Sequence, residues 1–449
     1  MKALKILGVV LLGLAVLGAG ALWYATRYVR TPAFKDRVLA AAREAAGTDV
    51  AVDSMDVSLF SGIALRKLSV ANPAGFPGQL LTADAFVLRY RLLPLLRRRV
   101  EIEQLSLDRP LLVLARNATN QWNYEKLGSP TAAPASEKSP ASAESPAAAS
   151  AGPLNVALSK LALTRGEVLM LGETGKPLVK VQGIDFASAV KLTGSKLSGT
   201  GQASVDLIRV AESLQLRQVA APVRFMGDEV TLAPVSGTLA GGAVAGELAL
   251  RLLGGFRYAA NLQVKDGDMG ELLKEAGAKP LMTGKLRLAA KLEGTGGLPT
   301  LRGTGKAEIV GGKLLELPAL SVVAALLQVP ELRDLSFDEC VLEFSLADNV
   351  MQTSVIRIRS PRIQIIGKGS VSLADYSLQH DLKLVFARGV LDNVPKEVRG
   401  IFTEQPDGAR SLDFRLWGPY DAPKTDITDR LVKGGTQQLL EKGLRKLLQ

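Results

Sequence analysis

The single histidine and the single cysteine are the residues of this sequence best suited to chemistry, and each stands alone. His380 lies in LQHDLKLVF, in phase with Leu378 and Leu382, which favours a structural position on the apolar side of a strand. Cys340 has no second cysteine, so an internal disulfide cannot form. A zinc cluster needs more Cys and His ligands than this chain has. The sequence therefore predicts neither a bound metal nor a cofactor.

Phosphate-binding and hydrolase motifs are absent as well. Gly305-Lys306 and Gly284-Lys285 lack both the earlier glycine and the following Ser or Thr that a Walker loop requires. Neither HExxH nor GxSxG occurs in the chain. We therefore expect no enzyme. Catalysis that depends on His380 is the third and weakest of three functional hypotheses.

The net charge of +11 suits an anionic membrane or a nucleic acid, and its distribution favours the membrane. Basic residues alternate with apolar ones, as in Arg357-Ile358-Arg359, and no base-stacking motif or recognition helix accompanies them. We expect membrane phospholipid as a partner, together with envelope or outer-membrane proteins under one hypothesis below. Nucleic acid is not an expected partner.

Residues 6–26 carry no charge, and as a helix they would extend about 30 Å, which matches the hydrocarbon core of a bilayer. Trp23, Tyr24 and Arg27 stand where membrane-interface residues are found. We predict a single-pass N-terminal anchor. Ala19-Gly20-Ala21 also fits a signal-peptide cleavage site, so cleavage stays an alternative. In both cases the rest of the chain is expected to leave the cytoplasm.

Composition and periodicity divide the remaining chain into regions. Thr31-Pro32, an apolar stripe and Gly47 predict a helix over 32–46, and ALSVVAALLQV predicts another over 319–329. Pro, Ala and Ser dominate residues 128–153, which predicts a disordered linker. The expected regions are an anchor (1–30), a helix with strands (31–127), the linker (128–153), a β-rich domain (154–426) and an amphipathic C-terminal helix (427–449).

Alternation of apolar and polar residues is the main signal after the linker, as in FRYAANLQV, KLRLAAKLE and SLDFRLW. The predicted fold class is mostly β with minor α. We expect an elongated, curved antiparallel β-sheet, groove-like, with a few short helices. The stretch NPAGFPG, at 72–78, predicts a compact turn between two early strands.

Several motifs in a fixed order give the chain a resemblance to the AsmA family of Gram-negative envelope proteins. They are the anchor, LRKLSVANPAGFPG, the NQWN step, and GTGKAEIVGGKLLELPAL with the strands that follow it. The motif residues singled out are Asn72, Pro73, Gly75, Phe76, Asn120, Trp122 and Asn123. The resemblance implies an inner-membrane protein with its bulk in the periplasm, acting in outer-membrane assembly and lipid balance. Some larger relatives are thought to be bridge-like lipid carriers.

Strands with one apolar face need a cover, which lipid tails or the chain's own helices and a second sheet can supply. The first hypothesis is that an apolar β-groove binds or transfers phospholipid. Its expected lipid contacts are Phe256, Tyr258, Leu262, Val264, Leu286, Leu288, Leu382, Leu384 and Phe386. The second hypothesis is a non-lipid scaffold that influences protein targeting to, or assembly in, the outer membrane. Whether the groove is open or filled is left open by the sequence.

Overall fold

The computed structural model describes residues 31–58, 62–91, 100–119, 121–126, 155–193, 196–211, 213–251, 257–295, 300–315, 318–420, 422–427 and 429–430. The predicted anchor, the predicted linker and most of the predicted C-terminal helix lie outside these ranges. Trp23, Tyr24, Arg27, Asn120 and Phe256 lie outside them too.

The described part of the chain is dominated by strands and has few helices, as predicted. The helices are α1 (Pro32–Ala46), α2 (Met269–Glu275), α3 (Pro318–Leu327) and α4 (Lys396–Arg399), and 3-10 turns occur at Asn123–Lys126 and Pro330–Leu332. Within the described ranges, no helix is both long enough and apolar enough to cross a bilayer.

Two compact units make up the structure. The first contains residues up to 212 together with 222–228, and the second contains 213–221 and the chain from 229 onward. Strand β10 (Leu214–Met226) is divided between them. This boundary differs from the one predicted at 128–153. A segment poor in large apolar residues indicates a connection that cannot form a core, and such a connection can also join two strands of one unit.

In the described residues the first unit contains nine whole strands, α1 and the end of β10. Their bounds are β1 (Val50–Ala51), β2 (Ser54–Ser58), β3 (Gly62–Ala71), β4 (Gln79–Tyr90), β5 (Val100–Asp108), β6 (Leu111–Ala115), β7 (Asn155–Leu171), β8 (Pro177–Thr193) and β9 (Lys196–Val210). β3 pairs with β1, β2 and β4, and β4 pairs with β5 and β6. β7 pairs with β8, which pairs with β9.

Two strand pairs of the first unit correct the prediction of an antiparallel sheet. β7 runs parallel to β5 and to β6, whereas the other pairs named above are antiparallel. Parallel neighbours require a long crossover connection, and the chain between β6 and β7, which contains the predicted linker, has that length. Alternation along a strand identifies its two faces but not its direction.

Helix α1 forms where the sequence predicts it and covers part of the first sheet. The Thr31 hydroxyl oxygen accepts a hydrogen bond from the Phe34 N–H at the helix start, and Gly47, with φ of 67°, ends the helix. The apolar side of α1 packs on two groups of strand residues, one around Met55 and Val57 and the other around Leu68. Burial against the sheet therefore stabilises a helix that would be marginal alone.

The second unit forms one antiparallel succession of strands. The bounds are β11 (Glu229–Leu239), β12 (Gly242–Arg251), β13 (Arg257–Asp268), β14 (Met282–Thr295), β15 (Arg302–Leu315), β16 (Asp334–Ala347), β17 (Val350–Arg359), β18 (Ile363–Ser372), β19 (Ser377–Phe386), β20 (Thr403–Glu404), β21 (Arg410–Pro419) and β22 (Lys424–Thr425). Each strand from β11 to β19 pairs with the next, β19 pairs with β21, and β20 and β22 pair with β21.

Connections at the two ends of this second sheet differ. The chain forms α2 between β13 and β14, α3 between β15 and β16, and α4 between β19 and β20, all at one end, which we call the covered end. The turns β16–β17 and β18–β19 are at the opposite end, which we call the open end, and each spans only a few residues. Because successive antiparallel strands reverse direction, alternate connections must fall at the same end.

Candidate functional site

One side of the second sheet carries a continuous set of apolar residues, which we call the apolar face. Strand register arranges it in rows that run across seven strands. The first row, nearest the covered end, consists of Leu286, Ile309, Cys340, Ile358, Ile365, Leu384 and Leu412. Each member is the direct cross-strand partner of the next, so the row is fixed by hydrogen-bond register.

Three further rows follow toward the open end. The second row is Leu288, Ala307, Leu342, Ile356, Gly367, Leu382 and Phe414; the third is Ala290, Gly305, Phe344, Thr353, Gly369, His380 and Leu416; the fourth is Leu292, Gly303, Leu346, Met351, Val371, Leu378 and Gly418. Alternate residues of each strand point to the same side of a sheet, so the four rows share one face.

Burial divides the apolar face into two parts. Every residue of the first row is buried, and Leu384 is wholly inaccessible to solvent. Most residues of the second to fourth rows are only half-buried, the exceptions being Phe414, Ala290 and Thr353. We call these three rows the half-buried rows. They are the candidate site, since they are apolar surface that the described residues do not fully cover.

The cover over the first row comes from the connections at the covered end. Val323 and Leu327 of α3 and Leu332 of the following 3-10 turn pack into the same core. Leu391 and Phe402, from the chain between β19 and β21, are also buried in it. The open end has only short turns within the described ranges, which explains why the cover becomes incomplete from the second row onward, where Phe414 is buried but Leu382 is only half-buried.

Glycines on the half-buried rows let large neighbouring side chains lie directly against the sheet backbone. A Cβ on Gly305 would lie 2.3 Å from Phe344 Cζ, and one on Gly367 would lie 2.7 Å from Leu382 Cδ2. Such distances are too short for real carbon contacts, so these rings and branches occupy the space that a side chain would take. The outcome is a surface of large apolar side chains lying against bare backbone.

The other side of the second sheet is charged. Cross-strand ion pairs join Lys383 to Asp413 at 3.5 Å, Arg415 to Asp381 at 3.3 Å and Arg359 to Glu339 at 3.5 Å. Most of these groups are well exposed, so each pair adds little to stability. These exposed ion pairs indicate that this side of the sheet faces water. The apolar face is therefore the side that needs a cover.

Two polar residues interrupt the third row. His380 Nδ1 and Thr353 Oγ1 are both buried without a hydrogen-bond partner among the described residues. Burial lowers the pKa of the His380 imidazole below its usual value, which outweighs the opposing effect of Asp381. The neutral imidazole is therefore favoured at pH 7, as expected for a structural histidine on an apolar side.

The structure places the sequence-predicted lipid contacts in two groups. Leu288 and Leu382 are half-buried on the apolar face. Tyr258 and Leu262 are half-buried on β13, where pairing with Gly294 and Ala290 of β14 places them on the same side of the sheet. Val264, Leu286, Leu384 and Phe386 are buried in cores that the protein forms from its own side chains. We leave the second group out of the candidate surface, because periodicity identifies the inward side of a strand but not where its cover ends.

Several candidate residues were missed by the sequence analysis. Leu342, Phe344 and Leu346 alternate along β16, and Met351 and Ile356 lie on β17. The alternation in VLEFSLA was the signal that could have found the first three. On β17 a bulge shifts the register between Thr353 and Ile356, so simple alternation fails there.

Two motif residues of the first unit, Asn72 and Asn123, meet at one buried amide. Asn123, wholly buried, donates from Nδ2 to Asn72 Oδ1 at 2.8 Å and to the Val113 carbonyl oxygen at 2.7 Å. Its Oδ1 accepts from the Ala115 N–H at 3.1 Å. All three hydrogen-bonding positions named here are satisfied, so Asn123 costs little to bury.

The predicted NPAGFPG turn lies between β3 and β4, and its asparagine also holds the turn itself. Asn72 Nδ2 donates to the Pro77 carbonyl oxygen at 2.7 Å, and the Asn72 N–H donates to the Gly78 carbonyl oxygen at 3.1 Å. Phe76 and Trp122 are buried. The turn and the NQWN step are therefore packing and hydrogen-bonding elements of the first unit.

Comparison with known proteins supports the family resemblance. The structure defines a strand-rich protein with an apolar sheet face, and the AsmA family model matches residues 1–211. That range includes all seven motif residues, and it confirms the resemblance to the AsmA family over the N-terminal part of the chain.

The family match ends close to the division between the two units, so it does not include the apolar face of the second unit. No curated protein matches the chain, and no solved structure matches it. The case for the candidate surface therefore depends on its own geometry.

Proposed function

We propose that the half-buried rows of the second unit bind the acyl chains of phospholipid. Under this proposal the chain is an inner-membrane-anchored protein of the periplasm, which acts in outer-membrane biogenesis and lipid homeostasis by binding or transferring lipid. No catalytic step is part of the proposal.

The observation that carries the proposal is the change in burial along a single sheet face. Neighbouring residues on the same strand and the same face, Leu384 and Leu382, differ in that the first is wholly buried and the second is half-buried. A face that the described residues cover fully at one end only is suited to a ligand with an apolar part.

The energetics favour acyl chains as that ligand. Moving a methylene group from water to an apolar surface is worth about 0.8 kcal/mol, so a few methylenes per chain give useful affinity. A flexible tail can also fit between the side chains that lie over Gly305 and Gly367. The neutral state of His380 is compatible with this surface, because a charged imidazole would oppose an apolar ligand.

Photo-crosslinking of the full chain in its own membranes tests the proposal. A photoreactive amino acid would replace Met351 on the apolar face and, in a matched variant, Gln352 on the charged side of the same strand. We expect lipid adducts by mass spectrometry at position 351 and few at position 352.

The alternatives give different results in the same experiment. Equal lipid capture at 351 and 352 would show nonspecific proximity to the membrane and would contradict the proposal. Protein adducts at 351 without lipid would favour the scaffold hypothesis instead.

A further inference from the structure

Three aromatic side chains are exposed at the open end of the second sheet, two tyrosines in mutual contact and one tryptophan that alternates with Leu416 and Gly418 and so lies on the charged side. Tyr376, Trp417 and Tyr420 are 48%, 40% and 55% exposed, which is unusual for large rings. Tyr376 lies in the β18–β19 turn, and Trp417 and Tyr420 lie at the end of β21 and just after it. We call these three residues the aromatic tip.

The aromatic tip is a built structure. The Tyr376 and Tyr420 rings meet edge to face, with centroids 5.9 Å apart and planes at 73°. The Tyr420 N–H donates to the Tyr376 carbonyl oxygen at 3.2 Å. The two rings are thus held side by side while both remain exposed to solvent.

The backbone of Tyr376 adopts a strained conformation in the β18–β19 turn. Its φ is 56°, a left-handed conformation that is uncommon for a bulky residue. Asp375, the preceding residue, accepts hydrogen bonds from the Ser377 N–H at 3.2 Å and from the Ser377 hydroxyl at 2.9 Å. Hydrogen bonds from Ser372 and Ser377 hold the pKa of the Asp375 carboxyl below its usual value, so this carboxylate is ionised at neutral pH.

The aromatic tip adjoins the fourth row of the apolar face. Ser377 pairs with Pro419, and the next pair along the two strands is Leu378 with Gly418, which belongs to that row. The two tyrosines of the tip therefore lie next to the half-buried rows at the open end of β19 and β21, and Trp417 lies at the same end on the charged side.

We infer that the aromatic tip contacts the interfacial region of a lipid bilayer. This inference rests on the proposed lipid function and adds the place where lipid enters or leaves. Tyrosine and tryptophan combine an apolar ring with a polar group, and they are enriched at the headgroup level of membranes for that reason.

The charges near the aromatic tip indicate whether it contacts a bilayer through ring insertion or through anionic headgroups. Asp375 is acidic, and Lys424 is the cross-strand partner of Trp417, so among the described residues charges of both signs lie near the rings. The contact should therefore depend on ring insertion and not on anionic headgroups. It should change little with salt or with the anionic lipid fraction.

Fluorescence quenching by brominated lipid tests the inference. The full chain would carry Trp23→Phe, which leaves Trp122, buried, and Trp417 as its tryptophans. It would be reconstituted into phosphatidylcholine vesicles. Dibrominated phosphatidylcholine would be placed either in those vesicles or in a second vesicle population. We expect quenching in at least one arrangement, and loss of that quenching when Trp417→Phe is added.

Variants separate ring insertion from general apolar contact. Replacing both tyrosines of the tip with serine should remove most of the Trp417 quenching, whereas Met226→Ser, at another highly exposed apolar position, should not change it. Absence of Trp417 quenching in both arrangements would overturn the inference. So would a photoreactive residue at position 376 that captures protein and no lipid.

Crosslinking at position 351 and quenching of Trp417 separate this inference from the proposed function. Lipid capture at position 351 without Trp417 quenching would leave the lipid-binding proposal intact and reject the tip as the bilayer contact. Trp417 quenching without lipid capture at 351 would place the tip at the bilayer and reject the proposed acyl-chain site.

Discussion

Asn123 donates a hydrogen bond of 2.8 Å to Asn72, and this bond joins two sequence motifs of the first unit that lie far apart along the chain. The same amide also holds the backbone of β6, through Val113 and Ala115. One side chain thus ties the turn after β3 and the 3-10 turn after β6 to a single strand.

Asn123→Ala should destabilise the first unit. The change leaves the Ala115 N–H, the Val113 carbonyl and Asn72 Oδ1 without their partner, at a cost of about 2–4 kcal/mol. Urea unfolding followed by Trp122 fluorescence measures it, in a chain that carries Trp23→Phe and Trp417→Phe. The control is Asn117→Ala, which removes exposed hydrogen bonds from the Thr119 and Gln121 N–H groups in the same loop. It should lower the free energy of unfolding much less. Equal costs would show that burial of the amide does not matter.

Leu384→Ala and Leu382→Ala should separate the covered and half-buried parts of the apolar face. Leu384 is wholly buried, so its truncation should cost about 2–5 kcal/mol through lost burial and a cavity. Leu382 is half-buried, so its truncation should cost clearly less stability but reduce lipid crosslinking at position 351. Denaturant unfolding and mass spectrometry are the two measurements. An equal loss of unfolding free energy in the two variants would contradict the distinction between the covered and half-buried parts of the apolar face.

Leu346→Glu should abolish lipid binding while the sheet remains folded. The glutamate would stand in the fourth row, where an ionised carboxylate beside an acyl chain is strongly unfavourable. Ser345→Glu, one residue away on the charged side, is the matched control. Lipid adducts at position 351 should disappear only in the first variant, and circular dichroism should be unchanged in both. Loss in both variants would point to a general effect of charge.

Cys340 should be almost unreactive toward maleimide while the second unit is folded. It is buried in the first row, and burial, with a smaller effect of Glu339, raises the pKa of its thiol to about 11. Since the folded state holds the proton more tightly than the unfolded state, this group lowers stability as the pH rises above about 9. Labelling at pH 8 should follow unfolding of the core. Rapid labelling in the absence of denaturant would contradict the buried position.

His380 should make the second unit less stable in mild acid. Its pKa is lowered by burial, so the unfolded chain takes up a proton more readily than the folded chain as the pH falls below about 6.5. The stabilisation is complete above that pH and declines as the pH falls toward the folded-state value. His380→Gln should flatten the decline in urea unfolding between pH 7 and pH 5. A slope that the substitution does not change would assign the effect to other groups.

Much of the local structure follows from the sequence. The helix at 32–46, the turn at 72–78 and the helix near 319–329 were predicted from caps, prolines and apolar spacing, which act over a few residues. The apolar side of β13, β14 and β19 was likewise evident from alternation. The direction of β7 was not, because pairing partners that lie far apart in the chain leave no periodic trace.

The family motifs were identified from the sequence, but their role was not. Asn72 and Asn123 are ordinary turn residues when considered separately, and only the fold brings their side chains within hydrogen-bonding distance. The same is true of the aromatic tip, since Tyr376 and Tyr420 belong to different strand ends.

The sequence by itself determined that strands would each have one apolar side, because side-chain direction alternates along any extended chain. The tertiary structure decided how much of that side is covered. Cover depends on which connections return over the sheet and at which end. The core that α3 and the chain from 387 to 402 help to form buries the whole first row, but of the second row it buries only Phe414 and has Ala307 and Leu382 at its edge. That is why Leu384 belongs to the core and Leu382, two residues before it, belongs to the proposed lipid surface.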